Sequence, residues 1–253
     1  MTQGAFWRLH DGLPREGPGE AADVAWLGRL LTLPRGAEIC DAACGPGADI
    51  AALEQLAPEA RVTAFDKHAR FAARARRDHP EARVLRGQLI ARERLEDGTA
   101  HDPVTLGPFD LIWCAGAAYI EGIEACLDHW RNALKPRGVI AFSECCWFTD
   151  TPSSEVRAMW EDYPEMRNQA GISTWIHKTG FRILGQRRLS AAAWENYYRP
   201  LDARIEALRL EAETYEDLSE VLAMASSEAE IWRAHSDEFG YLLSVVSLFE
   251  PAG

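Results

Sequence analysis

No stretch of this 253-residue chain approaches the roughly 20 consecutive apolar residues that carry a helix across a bilayer, so no membrane span is expected. Positive charge is scarce as well. Lys+Arg total 27 against 39 Asp+Glu, a formal net charge of −12, whereas a nucleic-acid binder draws on clustered Lys and Arg to meet the phosphates. The local basic group Arg70, Arg74, Arg76 and Arg77 reads as a solvated helix face. Six cysteines follow no disulfide-scaffold spacing, and residues 1–10 lack the charged start and apolar core of a secretory leader. Both features point to a reduced cytoplasm. Seven histidines are scattered without a His-Glu-x-x-His pairing, so no catalytic metal is expected. The adjacent Cys145 and Cys146 would suit a soft metal as thiolates. Strand neighbours point to opposite faces, however, which argues against a shared ligand. Internal repeats and low-complexity tracts are missing too. What is present is a hydrophobic content of 47%, ample for one large α/β domain or a domain with a lid.

The chain is organised around Glu38-Ile39-Cys40-Asp41-Ala42-Ala43-Cys44-Gly45-Pro46-Gly47. A short apolar strand over 37–40 runs into a turn of small residues, and a helix is expected from Ala48, with Ile50, Leu53 and Leu56 on one side. Glycines let a ligand approach the backbone, and a helix start offers unpaired N–H groups. Asp41 closes the strand, where a carboxylate can reach a bound ligand. A second strand over 61–65 ends at Asp66, and an acid there is suited to grip two ribose hydroxyls. A dinucleotide site would have Gly-x-Gly-x-x-Gly. In that register the chain has Ala43, Gly45 and Ala48; in the Gly-x-Gly-x-Gly register it has Ala43, Gly45 and Gly47.

With Asp41 ahead of the turn, Pro46 within it, and Phe109-Asp110-Leu111-Ile112-Trp113 and Leu134-Lys135-Pro136-Arg137-Gly138-Val139-Ile140 following in order, the sequence resembles the class I S-adenosylmethionine-dependent methyltransferases. The branch it is most similar to is the small-molecule one typified by the ubiquinone/menaquinone methyltransferases, over residues 15–181. The resemblance implies a Rossmann-like, seven-stranded, mostly parallel α/β sheet whose antiparallel last strand inserts between the fifth and sixth. It also implies S-adenosyl-L-methionine as cofactor. The backbone at Gly17, Ala43, Gly45 and Gly47 would take its methionine part, with Asp41 near the amino group and Cys114 bordering. Asp66 and the neighbouring Lys67 would sit at the ribose, and Gln88 with Leu89 at the adenine.

Residues 1–19 read as an irregular arm, and a helix is expected over 20–33. Further helices are expected over 68–79, 121–134 and within 153–179, and strands over 82–85, 109–113, 139–144 and 181–189. Residues 90–108 read as a surface loop. Between the last two strands, the second of which spans 241–249, about 50 residues read as two helices. A single methyltransferase domain over 1–253 is therefore expected to carry a helical cap over about 190–237. Strands four and five end at the catalytic candidates. Tyr119 follows the fourth, and Glu144, a base or a binder of a cationic substrate, closes the fifth. His10 in the arm is a further candidate base. Trp147, Tyr197 and Tyr198 are candidate walls of an acceptor pocket shared with Tyr119 and Glu144. The resulting expectation is a cytoplasmic enzyme, monomer or homodimer, that methylates a small molecule. Two other readings remain open at this point. One is a nicotinamide-dependent oxidoreductase, against which stand Ala48 at the third-glycine position and the lack of a Tyr-x-x-x-Lys pair. The other is a non-catalytic protein that keeps the cofactor site, conceivable because Ala43 replaces the first glycine.

Overall fold

Strands rich in Ile, Leu, Val and Phe, buried on both faces, pair in parallel in the first half of the chain, as such runs do when helices cover both sides. The computed structural model describes residues 3–249. Its strands are β1 (Glu38–Ala42), β2 (Arg61–Asp66), β3 (Arg83–Arg86), β4 (Phe109–Ala115), β5 (Leu134–Trp147), β6 (Arg167–Asn168), β7 (Phe181–Arg188) and β8 (Phe239–Leu248). The main sheet runs β3-β2-β1-β4-β5-β8-β7, and β6 adds one short pairing to the end of β5. Strands β1 to β5 are parallel, while β8 lies antiparallel between β5 and β7. The chain steps outward from β1 to β3 and then crosses back to β4, so strand order reverses between β1 and β4. A crevice opens beyond the carboxyl ends of strands at such a reversal.

The helices are α1 (Gln3–His10), α2 (Ala21–Leu30), α3 (Ile50–Glu54), α4 (Ala69–Asp78), α5 (Pro103–Leu106), α6 (Ile123–Trp130), α7 (Ser154–Met159), α8 (Gln169–Lys178), α9 (Ala191–Ala212) and α10 (Glu216–His235). Alternation along the strands divides the core in two. Cys40, Ile112 and Phe142 face a cluster with Trp130, Ile176 and Phe181, while Ile39, Leu111 and Ala141 face one with Leu27, Leu53 and Leu243. A third cluster joins α1, α9 and α10 to the ends of β5 and β8, and there Trp194 of α9 stacks on Trp232 of α10 with centroids 5.0 Å apart. Cys145 belongs to this third cluster and Cys146 to the first, so the vicinal thiols lie on opposite faces of β5.

Four local expectations are corrected. Residues 3–10 form a helix rather than an irregular arm, because Ala5 and Leu9, one turn apart, bury against α9 and α10 together with Leu13. The helix after β1 begins at Ile50 rather than Ala48, since the glycine turn continues to Asp49. Strand β5 begins at Leu134, which pairs with Phe109 across a bulge, so Lys135 to Gly138 are drawn into the strand instead of forming a free turn. The stretch 153–179 is two helices separated by β6, whose Arg167 and Asn168 pair with Cys146 and Trp147.

Candidate active site

The turn after β1 winds through three left-handed residues, Ala43 (φ 60°), Gly45 (φ 54°) and Gly47 (φ 95°). This winding turns the Gly45 N–H onto Asp66 Oδ2 at 3.0 Å, while Asp66 Oδ1 accepts from the His68 N–H at 2.8 Å. Asp66 thus ties the β1 turn to the end of β2, and burial raises its pKa. A cleft over the turn is lined by Asp41, Ala43, Gly45 and Asp66 from the sheet edge, by Gly17 and its neighbours from the N-terminal segment, and by Tyr119 after β4. These six were singled out in the sequence, and they meet in one place.

Behind the cleft the charges are arranged in layers. Arg15 donates from Nε to the Gly17 carbonyl at 2.8 Å and from a terminal nitrogen to Asp49 Oδ1 at 3.0 Å. Asp49 Oδ2 accepts from the Trp113 indole at 3.0 Å. Asp41 is buried, and its Oδ2 has no donor. Burial pushes its pKa well up, the charges of Asp49 and Asp66 add to this, and Arg15 opposes it. Three carboxylates against one guanidinium make a pocket suited to a ligand carrying positive charge and N–H donors.

Other candidates lie elsewhere. Gly47 is off the cleft: a Cβ there would meet His79 Cδ2 at 2.9 Å and Ala75 Cβ at 3.1 Å, so this glycine lets α4 pack close. Lys67 is exposed and borders a separate groove with Trp7 and Arg70. Gln88 donates its amide to the Glu93 carbonyl at 2.8 Å, because the following loop folds back and the Gln88 N–H bonds His101. Leu89 and Cys114 are buried core residues, and Leu89 presents its carbonyl to the Trp130 indole. His10 stacks on Phe6 and holds Glu16 Oε2 at 2.6 Å, so it reaches the cleft only through Glu16. Trp147 borders a different hollow with Thr149, Asp150 and Arg167. Tyr198 is fully buried on α9, donating to Glu228 at 3.0 Å, while Tyr197 is half-buried beside it.

Glu144 sits on β5 with its side chain wholly enclosed. One oxygen accepts from the Tyr163 hydroxyl and from the Cys145 N–H, both at 3.1 Å, and the other has no donor. Burial raises its pKa to about 8. Tyr163 lies 5.6 Å, centroid to centroid, from Tyr119 and so links Glu144 to the cleft wall. The sequence reading missed Arg15, Glu16, Asp49, His68 and Phe71 around the cleft, and Tyr163 and Glu228 beyond it. Arg15 and Glu16 flank Gly17 and Asp49 follows the glycine turn, so adjacency to the chosen motifs was the available signal.

Residues 40–140 match the family model described as a methyltransferase domain. That segment runs from within β1 into β5 and includes the glycine turn and Asp66. Two similar solved structures are S-adenosylmethionine-dependent methyltransferases in complex with S-adenosyl-L-homocysteine. The one from Geobacter sulfurreducens is 16% identical, with a TM-score of 0.79 over 98% of this chain and 99% of that one. The one from Thiobacillus denitrificans is 18% identical, with a TM-score of 0.78 over the same shares. A third, YjhP from E. coli, is 18% identical, with a TM-score of 0.76 over 97% and 99%. No curated protein sequence matches the chain. Residues 40–140 thus match a methyltransferase domain, and the chain has the Rossmann-like fold of these solved methyltransferases.

Proposed function

We propose that this protein transfers a methyl group from S-adenosylmethionine to a small-molecule acceptor, the acceptor lying between the cleft and a cap formed by α9 and α10. The supporting observation is the acid-lined cleft at the strand-order reversal, with Asp66 at the end of β2 and a donorless Asp41 oxygen at the end of β1. The residues present fit the cofactor. An α-amino group supplies the donor that Asp41 Oδ2 lacks. Each Asp66 oxygen accepts only one backbone N–H, which leaves acceptor capacity for ribose hydroxyls. The backbone at Gly17, Ala43 and Gly45 lies open on the same cleft.

The cofactor supplies an electrophilic methyl on a sulfonium, so the protein's work is to align the acceptor, exclude water and receive a proton. Tyr119 forms the wall through which an acceptor meets the cleft. Glu144, held in place by Tyr163, is the group behind it that can accept a proton once pH rises toward its raised pKa of about 8. The His10–Glu16 pair closes the cleft from α1. The family match and the related solved structures favour this reading over a nicotinamide enzyme. A putative sarcosine dimethylglycine methyltransferase from Galdieria sulphuraria, 15% identical with a TM-score of 0.67, has the same fold. Membership of the ubiquinone/menaquinone branch and a cytoplasmic setting remain parts of the proposal. Among the described residues no helix is long and apolar enough to cross a membrane. Calorimetric titration with S-adenosylhomocysteine is the test. Micromolar binding is expected, and no heat at about 1 mM ligand overturns the reading.

A further inference from the structure

Two residues that line the cleft have a carboxylate oxygen enclosed without a donor, Asp41 at Oδ2 and Glu16 at Oε1. The first meets the α-amino group in the arrangement proposed above, and the second has no role there. The other oxygen of Glu16 holds His10 Nδ1 at 2.6 Å, which anchors the carboxylate to α1. Its stem runs along the glycine turn. A Cβ built on Gly45 would lie 3.5 Å from Glu16 Cγ and 3.7 Å from Glu16 Cβ, ordinary contact distances. The Gly45 N–H is meanwhile held by Asp66 Oδ2 at 3.0 Å. Glu16 and Asp66 therefore flank one residue of the turn, Asp41 opens that turn, and all three border the same cavity.

The charged groups that bear on Glu16 are His10, Asp66 and Arg74. Arg74 is committed elsewhere: it donates to the Leu13 carbonyl at 2.6 Å and pairs with Asp78 across 3.5 Å. Asp66 repels. Burial is the largest influence and raises the pKa of Glu16. A cation held in the cleft offsets both the burial and the repulsion.

S-adenosylmethionine carries two positive groups, the α-ammonium at one end and the sulfonium between it and the ribose. With the ammonium at Asp41 and the ribose at Asp66, the sulfonium crosses the stretch of turn from Ala43 to Gly45. The acid that borders this stretch from the N-terminal segment is Glu16. We infer that Glu16, anchored by His10, is the counter-charge of the sulfonium, so that the cleft holds the charged methyl donor more tightly than its neutral thioether product. The inference rests on the methyl-transfer reading and adds to it the residue that tells substrate from product. With the thioether bound, Glu16 again stands beside Asp66 without a counter-ion, which favours release.

The test is calorimetric titration of the full chain with S-adenosylmethionine, with S-adenosylhomocysteine, and with sinefungin, in which an amine-bearing carbon replaces the methylated sulfur. It is run at about pH 8, above the ordinary range of both a carboxyl and an imidazole. The two charged ligands are expected to bind at least about tenfold more tightly than S-adenosylhomocysteine, the scale of one partly shielded charge contact. Glu16→Gln should cut that ratio about fivefold or more. Glu16→Asp keeps the charge but draws it back by one methylene, and its ratio should fall between the two. Equal binding of charged and neutral ligands by the unaltered chain overturns the proposal. So does a parental ratio in Glu16→Gln, even with all three affinities lowered, since Glu16 would then only support the turn. If Glu16→Gln does not fold, a parental ratio in Glu16→Asp overturns it instead. Failure of the methyl-transfer reading looks different, because none of the three ligands then binds.

Discussion

Tyr163 donates its hydroxyl to one oxygen of Glu144 at 3.1 Å, and the other oxygen of that carboxylate is enclosed without any donor. The pair joins a loop after α7 to the carboxyl-terminal part of β5. A half-satisfied carboxylate in such a place is stable as the neutral acid, and burial moves its pKa from 4.5 to about 8. Between those values the folded chain keeps a proton that the unfolded chain has lost. This group's contribution to stability is therefore whole below 4.5 and falls as pH rises toward 8. Asp41, Asp66, Glu16 and Glu228 are also shifted upward and add to the trend with the same sign. Thermal unfolding between pH 5 and about pH 9 should show Tm falling, and Glu144→Gln should flatten that slope. A parallel slope in the variant would remove Glu144 as the cause.

Asp66 serves two neighbours at once, accepting the Gly45 and His68 N–H groups. Asp66→Ala deletes both acceptors and leaves two backbone donors near the cleft floor unpaired. Hydrogen bonds to a charged group are worth about 1.5–3 kcal/mol each, so S-adenosylhomocysteine binding should weaken about tenfold or more and Tm should drop. Calorimetry and thermal unfolding on one preparation read the two effects together. Unchanged affinity would show that the carboxylate holds the turn but not the ligand.

Arg15 is the guanidinium behind the three cleft carboxylates, and it bonds both Asp49 and the Gly17 carbonyl. Arg15→Ala leaves Asp49 to the Trp113 indole alone and removes the charge that restrains Asp41. Breaking a buried pair from one side typically costs about 3–5 kcal/mol. Denaturant unfolding should show a loss of that order, while Arg35→Ala, which removes an exposed pair with Glu59, should cost under about 1 kcal/mol.

The sheet was legible because its strands are apolar runs of the right length, bounded by turn residues, and the helix pair α9 and α10 because Leu201 and Leu208 repeat at helical spacing. Helix α1 was missed because eight residues with a glycine among them give little periodicity; Ala5 and Leu9 become a stripe only against α9 and α10. At the cleft, the acids closing β1 and β2 were legible because strand ends at a glycine turn have a fixed geometry. Gln88 is not among the residues lining the cleft, because the loop after β3 folds back to His101, a contact between residues that no local pattern links. Tyr163 lay outside any periodic segment. Its importance depends on β6 bringing that loop against β5.

The glycine turn yields a paired prediction, because its left-handed positions are occupied by different residues. Ala43 holds φ 60° with a side chain, which costs about 1–2 kcal/mol relative to an unstrained backbone. Ala43→Gly removes that strain but gives back about 0.4–1 kcal/mol in unfolded-state freedom, so Tm should be unchanged or slightly higher. Gly47→Ala has the opposite outcome. Its φ of 95° is harder for a side chain, and the new methyl would press on His79, Ala75 and Ile50 at 2.9–3.1 Å. Strain and overpacking together should cost about 2–4 kcal/mol. Gly47 does not border the cleft, so the folded fraction of that variant should bind S-adenosylhomocysteine within about threefold of the parent, a difference under 1 kcal/mol. Calorimetry below the variant's Tm measures this. A larger loss of affinity at normal stability would mean that the residue touches the ligand and that α4 tolerates the methyl.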